Sequence, residues 1–316
     1  MKKKALIIGH SGQDGFYLTQ TLASQNYEVF GVSSSAQFNL ESFNIGAAAI
    51  TDFGFCEKLF TQILPDEVYY LAALHQSSIE KSYDDLKFYK DTIDVNANGL
   101  LNFLECIVKY KLECRLFYAS SSHIYGGTSS LIQNEETPYC PVSIYGVSKV
   151  LGMQYCDLYR QKGVFCSVGV FYNHESPRRS SKFVSKKIIE TAVKISKGEA
   201  SELVLGDLSA KIDWGFAPDY VKAAHAILQT NASGVFVISS GSLHTIEDFV
   251  GIAFEQLNLN WKDYVKVNSN IILKKSVTIL QGDNSKLKQQ TNWEASLSFK
   301  QMVEVLVANE LMNELA

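Results

Sequence analysis

The chain has 316 residues, 46% of them hydrophobic and 20% charged, with a formal net charge of −4. That length suits one large α/β domain, or a large domain with a smaller one attached, and the slight acidity gives no basis for a nucleic-acid-binding protein. No segment is long and apolar enough to span a bilayer, so a membrane protein built on helical spans is excluded.

Met1-Lys2-Lys3-Lys4 imitates the basic start of a signal peptide, but the apolar run after it, Ala5 to Ile8, stops at Gly9 and is too short for a secretory core; a cytoplasmic location is expected. The six cysteines (Cys56, Cys106, Cys114, Cys140, Cys156, Cys166) form no Cys-x-x-Cys pair and no metal-ligand spacing, and they read as free thiols in a reducing compartment.

Lys4 to Ile8 predicts a short strand that runs into Gly9-His10-Ser11-Gly12-Gln13-Asp14-Gly15, after which Tyr17, Leu18 and Leu22 suggest a helix. Glycines spaced in this way between strand and helix allow a tight turn and a close approach of backbone N–H groups to a pyrophosphate at the helix N-terminus. Gly9, Gly12, Gln13, Asp14 and Gly15 are therefore candidate cofactor residues, and His10 is expected to line the same pocket. Tyr27 to Val32 reads as the second strand, and NAD-binding folds usually place an acid near its end to grip the ribose hydroxyls. Here Ser33-Ser34-Ser35 follow instead, which leans towards NADP over NAD, although no Arg or Lys stands by for the 2′-phosphate.

Glu67 to Ala73 reads as another strand, with Leu71, Ala72 and Ala73 letting a cofactor lie against the backbone. Asp94 to Leu104 carries the apolar stripe of a helix that packs on the sheet. Arg115 to Ala119 predicts a buried strand, placing Ser120, Ser121, Ser122 and His123 at its carboxyl end, where open α/β sheets bind their ligands. Tyr145 and Lys149, four apart, share one face of the next helix. A phenol with a pKa near 10 is a poor base at neutral pH, but an ammonium one turn away favours the phenolate. With Ser121 as a hydrogen-bonding partner, the arrangement is a proton-transfer device. Tyr-x-x-x-Lys alone more often marks a surface tyrosine and a solvated lysine; its neighbours reverse that reading.

Cys166 to Tyr172 predicts a further strand, ending in Asn173-His174-Glu175-Ser176-Pro177-Arg178-Arg179. Strands and helices alternating in this way predict an α/β fold, a doubly wound parallel Rossmann sheet, mainly over residues 1–172. From 173 to 316 the pattern is irregular, as in a smaller C-terminal substrate-binding portion with some strands returning to the first domain. His174 and Glu175 find no third ligand at a suitable spacing, so no metal is expected.

These residues resemble the extended short-chain dehydrogenase/reductases that act on nucleotide sugars, and most closely the GDP-mannose 4,6-dehydratase family. The resemblance covers nearly all of the chain. It is carried by Gly12-Gln13-Asp14-Gly15, by the block Asn173 to Arg179, by Asp213-Trp214-Gly215 with Asp219-Tyr220-Val221, and by Gln281-Gly282-Asp283 followed by Asn292-Trp293. It implies that Tyr145 takes the proton of the sugar 4-hydroxyl while hydride passes from C4 to NADP or NAD, that Lys149 holds the cofactor ribose, and that Ser121 supplies the hydroxyl for which the family usually has Thr. Water then leaves across C5 and C6, and the hydride returns to C6. The resemblance also implies a nucleotide-sugar partner, a GDP-hexose, held by Ser122, Asn173, Arg178, Lys186, Lys211 and Lys274, and a homodimer or homotetramer.

The sequence departs from the family at His123, where the dehydratases have a carboxylate, usually Glu, that removes C5–H and expels water. Histidine can do this work with its unperturbed pKa near 6.5. It is also compatible with a 4-keto reductase or epimerase, or with a plain polar neighbour. In the nucleotide clamp Ile212 replaces an Arg beside Lys211, Lys274-Lys275 replaces Arg-Pro, Lys186 replaces Arg, and Ala49 replaces an acid near the adenine; Lys neutralises a diphosphate without the bidentate fork. A non-catalytic nucleotide-binding protein is the alternative from another class, and the joint presence of Ser121, Tyr145 and Lys149 argues against it.

Overall fold

The computed structural model describes residues 2–33, 43–44, 47–75, 85–268 and 279–313. The apolar runs become the strands β1 (Lys4–Ile8), β2 (Glu28–Ser33), β4 (Glu67–Tyr70), β5 (Arg115–Ser121) and β6 (Cys166–Phe171), with the two-residue β3 (Phe43–Asn44) and the later β10 (Val235–Ile238) completing a sheet of order β10-β6-β5-β4-β1-β2-β3. Every pairing in it is parallel. A parallel sheet is covered on both faces, which is why β4 and β6 are buried at every position and read as unbroken apolar runs. The strand order reverses between β1 and β4, so the crevice opens at their carboxyl ends. This is the expected doubly wound Rossmann sheet.

The helices α1 (Gln13–Ser24), α2 (Phe53–Ile63), α4 (Gly99–Tyr110), α5 (Ile144–Gln161) and α7 (Ala217–Leu228) flank it. The helix expected over Asp94 to Leu104 departs from regularity at its start. Asp94–Asn98 forms a π-helical turn between α3 (Asp85–Ile93) and α4, and such turns gather at functional sites.

Beyond β6 the chain forms β7 (Asn173–Glu175), β9 (Lys211–Phe216) and β11 (Leu243–Thr245), a three-stranded sheet, and pairs β8 (Leu203–Leu205) with β12 (Val265–Val267). These pack with α6 (Val184–Ser196), α8 (Ile246–Glu255) and α10 (Phe299–Asn313) around a second core that includes Ile188, Leu205, Trp214, Phe249 and Leu306. Tyr220, Phe236, Leu287 of α9 (Ser285–Thr291) and Trp293 belong instead to the first core, beneath the large sheet. Ile212, where the clamp expects Arg, packs against the second core. Among the described residues no helix is long and apolar enough to cross a membrane, and all six cysteines are free thiols.

Candidate active site

Gly9 adopts φ +96°, and a Cβ there would lie 2.7 Å from the backbone nitrogen of Ala72. Only glycine lets the turn after β1 pass this close to the segment after β4. At Gly15 a Cβ would meet the Gly9 carbonyl oxygen and the His10 Cα, each at 2.4 Å, both backbone atoms that cannot swing aside. Gly15→Ala should therefore push α1 away from the turn and abolish cofactor binding while the sheet persists, readable as a lost fluorescence titration with an unchanged far-UV spectrum. Gly12 opens α1 with no side chain capping its first-turn N–H groups, and they face the crevice end of the sheet with the positive end of the helix dipole. Ser33, at the end of β2, is hydrogen-bonded through its hydroxyl to Ser11. Leu71 and Ala72 are half-buried and Ala73 exposed after β4. A glycine cradle, an uncapped helix start, hydroxyls at the β2 edge and small residues after β4 fit a nicotinamide dinucleotide.

Two residues of this loop act differently from their expected role. The Gln13 amide donates to the His174 carbonyl at 3.1 Å and accepts from the Ser176 hydroxyl at 2.8 Å. Asp14 accepts from His174 Nε2 at 2.9 Å. Their side chains are thus tied to the segment around β7. His10 also turns from the expected pocket: it is 4% exposed, its ring fills the space beside Gly31 of β2, and neither ring nitrogen has a hydrogen-bond partner among the described residues.

Ser121 ends β5, and Ser122–Tyr125 continues as a 3₁₀ turn in which the Ser121 hydroxyl accepts from the His123 backbone N–H at 3.3 Å. α5 begins with Ser143 as N-cap, its hydroxyl accepting from Gly146 N at 3.1 Å, which sets the first turn and so the direction of Tyr145. Tyr145 and Lys149 share the inner face. The Tyr145 phenol is pushed up to about 12 by burial, an effect the Ser121 hydrogen bond opposes. Lys149 is 1% exposed, donates to the Ala119 carbonyl at 2.8 Å, and is pushed down to about 7 by burial. The expectation that the ammonium lowers the phenol pKa is therefore not met here. Nζ lies 5.6 Å from the Tyr145 ring centre, and burial is the largest influence on both groups.

The exposed His123 ring stands edge-on to Tyr145, centroids 5.5 Å apart. Sequence reasoning missed His75, also exposed, whose ring lies 4.6 Å from Tyr145, 5.8 Å from His123 and stacked 6.0 Å from Phe183. Its signal was faint: a single titratable side chain ending the run Leu71-Ala72-Ala73-Leu74.

Of the expected substrate residues, Ser122 is buried beside Ser121 and His123. Asn173 is exposed at the start of β7, two positions beyond Phe171, which pairs with Ser121. Arg178 is exposed, its guanidinium 4.1 Å from the centre of the Phe16 ring of α1. Lys211 is exposed at the start of β9. Lys186 is committed elsewhere: it pairs with Glu310 of α10 and donates to the Pro177 carbonyl, largely buried, so its charge ties α6 to α10. Lys274 and Lys275 lie outside the described residues, as do Ser34 and Ser35. Glu175 pairs with Arg179 at 3.2 Å and accepts from Ser185 at 2.7 Å. Among the described residues no cluster of His, Cys, Asp or Glu is placed to hold a metal.

A parallel sheet with a glycine cradle at its reversal point, and a Ser-Tyr-Lys set on the neighbouring strand and helix, defines a short-chain dehydrogenase/reductase. Comparison with known proteins narrows this. The family model for GDP-mannose 4,6 dehydratase matches residues 6–306, and the chain belongs to that family. GDP-mannose 4,6 dehydratase 2 of Arabidopsis thaliana is 36% identical over 331 residues, covering 98% of this chain and 87% of the relative. Solved structures share the fold: dTDP-glucose 4,6-dehydratase from Bacillus anthracis in complex with NAD has a TM-score of 0.82 at 19% identity, covering 99% of this chain and 97% of that one. RMD from Pseudomonas aeruginosa complexed with NADPH also has a TM-score of 0.82 at 19% identity, covering 99% of both chains.

Proposed function

We propose that this chain dehydrates GDP-mannose across C5 and C6, with NADP favoured over NAD. The observation that carries the reading is the assembly of Ser121, Tyr145 and Lys149 at the crevice of a chain that belongs to this family across residues 6–306. Gly9, Gly12, Gly15 and Ala72 would hold a nicotinamide dinucleotide, which would supply hydride acceptance from the sugar C4 and hydride donation to C6. Tyr145 takes the C4 hydroxyl proton, and Ser121 holds the phenol in place. Lys149 supplies a donor beneath both. The resulting 4-keto group acidifies C5–H, so a base beside Tyr145 can remove that proton while the C6 oxygen leaves. Asn173 and Arg178, both exposed beyond β6, contact the nucleotide sugar, Arg178 as a planar donor for phosphate. The preference for NADP rests on β2 ending in Ser33, which offers the adenosine ribose no carboxylate. A homodimer or homotetramer is part of the same reading.

Incubating the purified protein with GDP-mannose and catalytic cofactor, without added reductant, should give a product lighter by one water in the mass spectrum. No loss of water from GDP-mannose, together with reduction of a GDP-4-keto-6-deoxy sugar that consumes one NADPH per product, would instead make the chain a 4-keto reductase. Parallel titrations with NADP and NAD should show tighter binding of NADP.

A further inference from the structure

The elimination step needs a base for the C5 proton and an acid for the departing C6 oxygen, and this chain lacks the carboxylate expected at position 123. We propose that His75 and His123 share that work: His123 takes the C5 proton and His75 protonates the C6 oxygen. The proposal rests on the dehydratase reading above.

Three observations carry it. The rings of His75, His123 and Tyr145 form a mutually perpendicular set, every centroid within 5.8 Å of the other two, so one sugar ring above Tyr145 meets both imidazoles. Both histidines are exposed, on the side where substrate must enter, and neither belongs to a core. The backbone that presents His75 is also held to the catalytic helix. Fully buried Asn96, on the π-helical turn, accepts from Leu74 N at 2.7 Å and donates to Leu74 O at 3.2 Å and to Ser148 Oγ at 2.9 Å. One side chain thus clamps both backbone groups of residue 74 and ties them to the position before Lys149. The irregular turn therefore has a use: it fixes His75 over Tyr145. Phe183 closes the other face of the His75 ring.

The chemistry balances. The C5–H bond breaks, its proton goes to a nitrogen of neutral His123, and its electron pair forms the C5–C6 double bond as the C6–O bond breaks. The leaving oxygen takes a proton from the His75 imidazolium and departs as water. Hydride then returns to C6, and C5 recovers the proton held by His123. His75, exposed at the mouth of the site, recovers its proton from solvent, and Tyr145 gives up to solvent the proton taken from the C4 hydroxyl. One proton is taken up and one released per turnover, so no net acid is consumed.

The test uses the full chain with its cofactor, comparing wild type, His75→Gln and His123→Gln in two assays: water loss from GDP-mannose, and exchange of C5–H into deuterium oxide from the 4-keto-6-deoxy product. His75→Gln is expected to lose water elimination by about 10²-fold or more while retaining C5 exchange, and His123→Gln to lose both. Thermal melting and GDP-mannose affinity should stay close to wild type, because both side chains are exposed. His75→Gln dehydrating within about twofold of an active wild type overturns the proposal alone. A wild type that fails to dehydrate GDP-mannose overturns the functional reading and this one with it. Loss of C5 exchange in His75→Gln together with water elimination overturns the division of labour.

Discussion

Tyr145→Phe is expected to lower the rate of C4 oxidation by about 10²- to 10⁴-fold, the range over which a positioned acid or base acts. The substitution removes one oxygen from a ring held by Ser143 capping and by the packing of α5, so cofactor and nucleotide sugar should still bind. On the proposed mechanism, what disappears is the group that accepts the 4-hydroxyl proton. The pH dependence follows from the two directions of shift. Burial holds the phenol at about 12, so its ionisation is favoured as pH rises. Lys149, pushed down to about 7 by burial, carries its charge below that value and loses it above, so the charged donor it offers beside the site fades as pH rises. The opposed limbs give wild-type C4 oxidation a bell-shaped profile, and Tyr145→Phe should show a flat residual rate. Rapid mixing with GDP-mannose, read by nicotinamide absorbance, measures this. A Phe variant within tenfold of wild type would show that another group is the base.

The fold and the centre of this site were legible in the sequence because they depend on short-range pattern. Apolar runs fix β1, β4, β5 and β6; the glycine spacing fixes the turn after β1; four residues of spacing put Tyr145 and Lys149 on one helical face. The parts that were not legible depend on pairing across the chain. Gln13 and Asp14 belong to a glycine loop by position, yet Asp14 binds His174, 160 residues on. Lys186 looks like a clamp residue until Glu310, 124 residues away, neutralises it. His75 carries no spacing signal at all, since its importance comes from Asn96 fixing the loop before it. The π-helical turn left one trace, the poor helix formers Asp94, Asn96 and Asn98 at the head of an otherwise apolar stripe. The same long-range pairing explains why the two most specific sequence blocks, Gly12 to Gly15 and Asn173 to Arg179, occur together. They are the two halves of one part-buried contact.

That contact predicts the second large effect: Asp14→Asn should destabilise the protein by about 2–3 kcal/mol near pH 5, between the cost of breaking a surface ion pair and that of breaking a fully buried one, because the Asp14 side chain keeps 23% of its exposure. His174 Nδ1 lies 2.7 Å from the Tyr172 carbonyl and Nε2 2.9 Å from Asp14, and both partners can only accept, so both nitrogens carry protons and the ring is charged. Burial alone would push His174 down, but the Asp14 carboxylate holds it above its ordinary 6.5; burial would likewise push Asp14 up, and the imidazolium holds it below 3.8. The signs then fix the window. The Asp14 contribution is present above 3.8 and lost as pH falls through its lowered native value. The His174 contribution is present below 6.5 and lost as pH rises through its raised native value. The deficit of the Asn variant should therefore be largest between about pH 4 and 6.5 and shrink on either side, measured by urea unfolding across that range. A deficit independent of pH would mean that the pair is not ionised. The variant should also move the alkaline demand of the Tyr145 phenol downward, because the Asp14 charge is one of the influences that raise it. Since Asp14 and Gln13 join the turn after β1 to the strand that starts with Asn173, the same change should also weaken nucleotide-sugar binding while leaving the Ser121, Tyr145 and Lys149 side chains in place, which makes the loop from Gly12 to Gly15 the link between cofactor and substrate recognition.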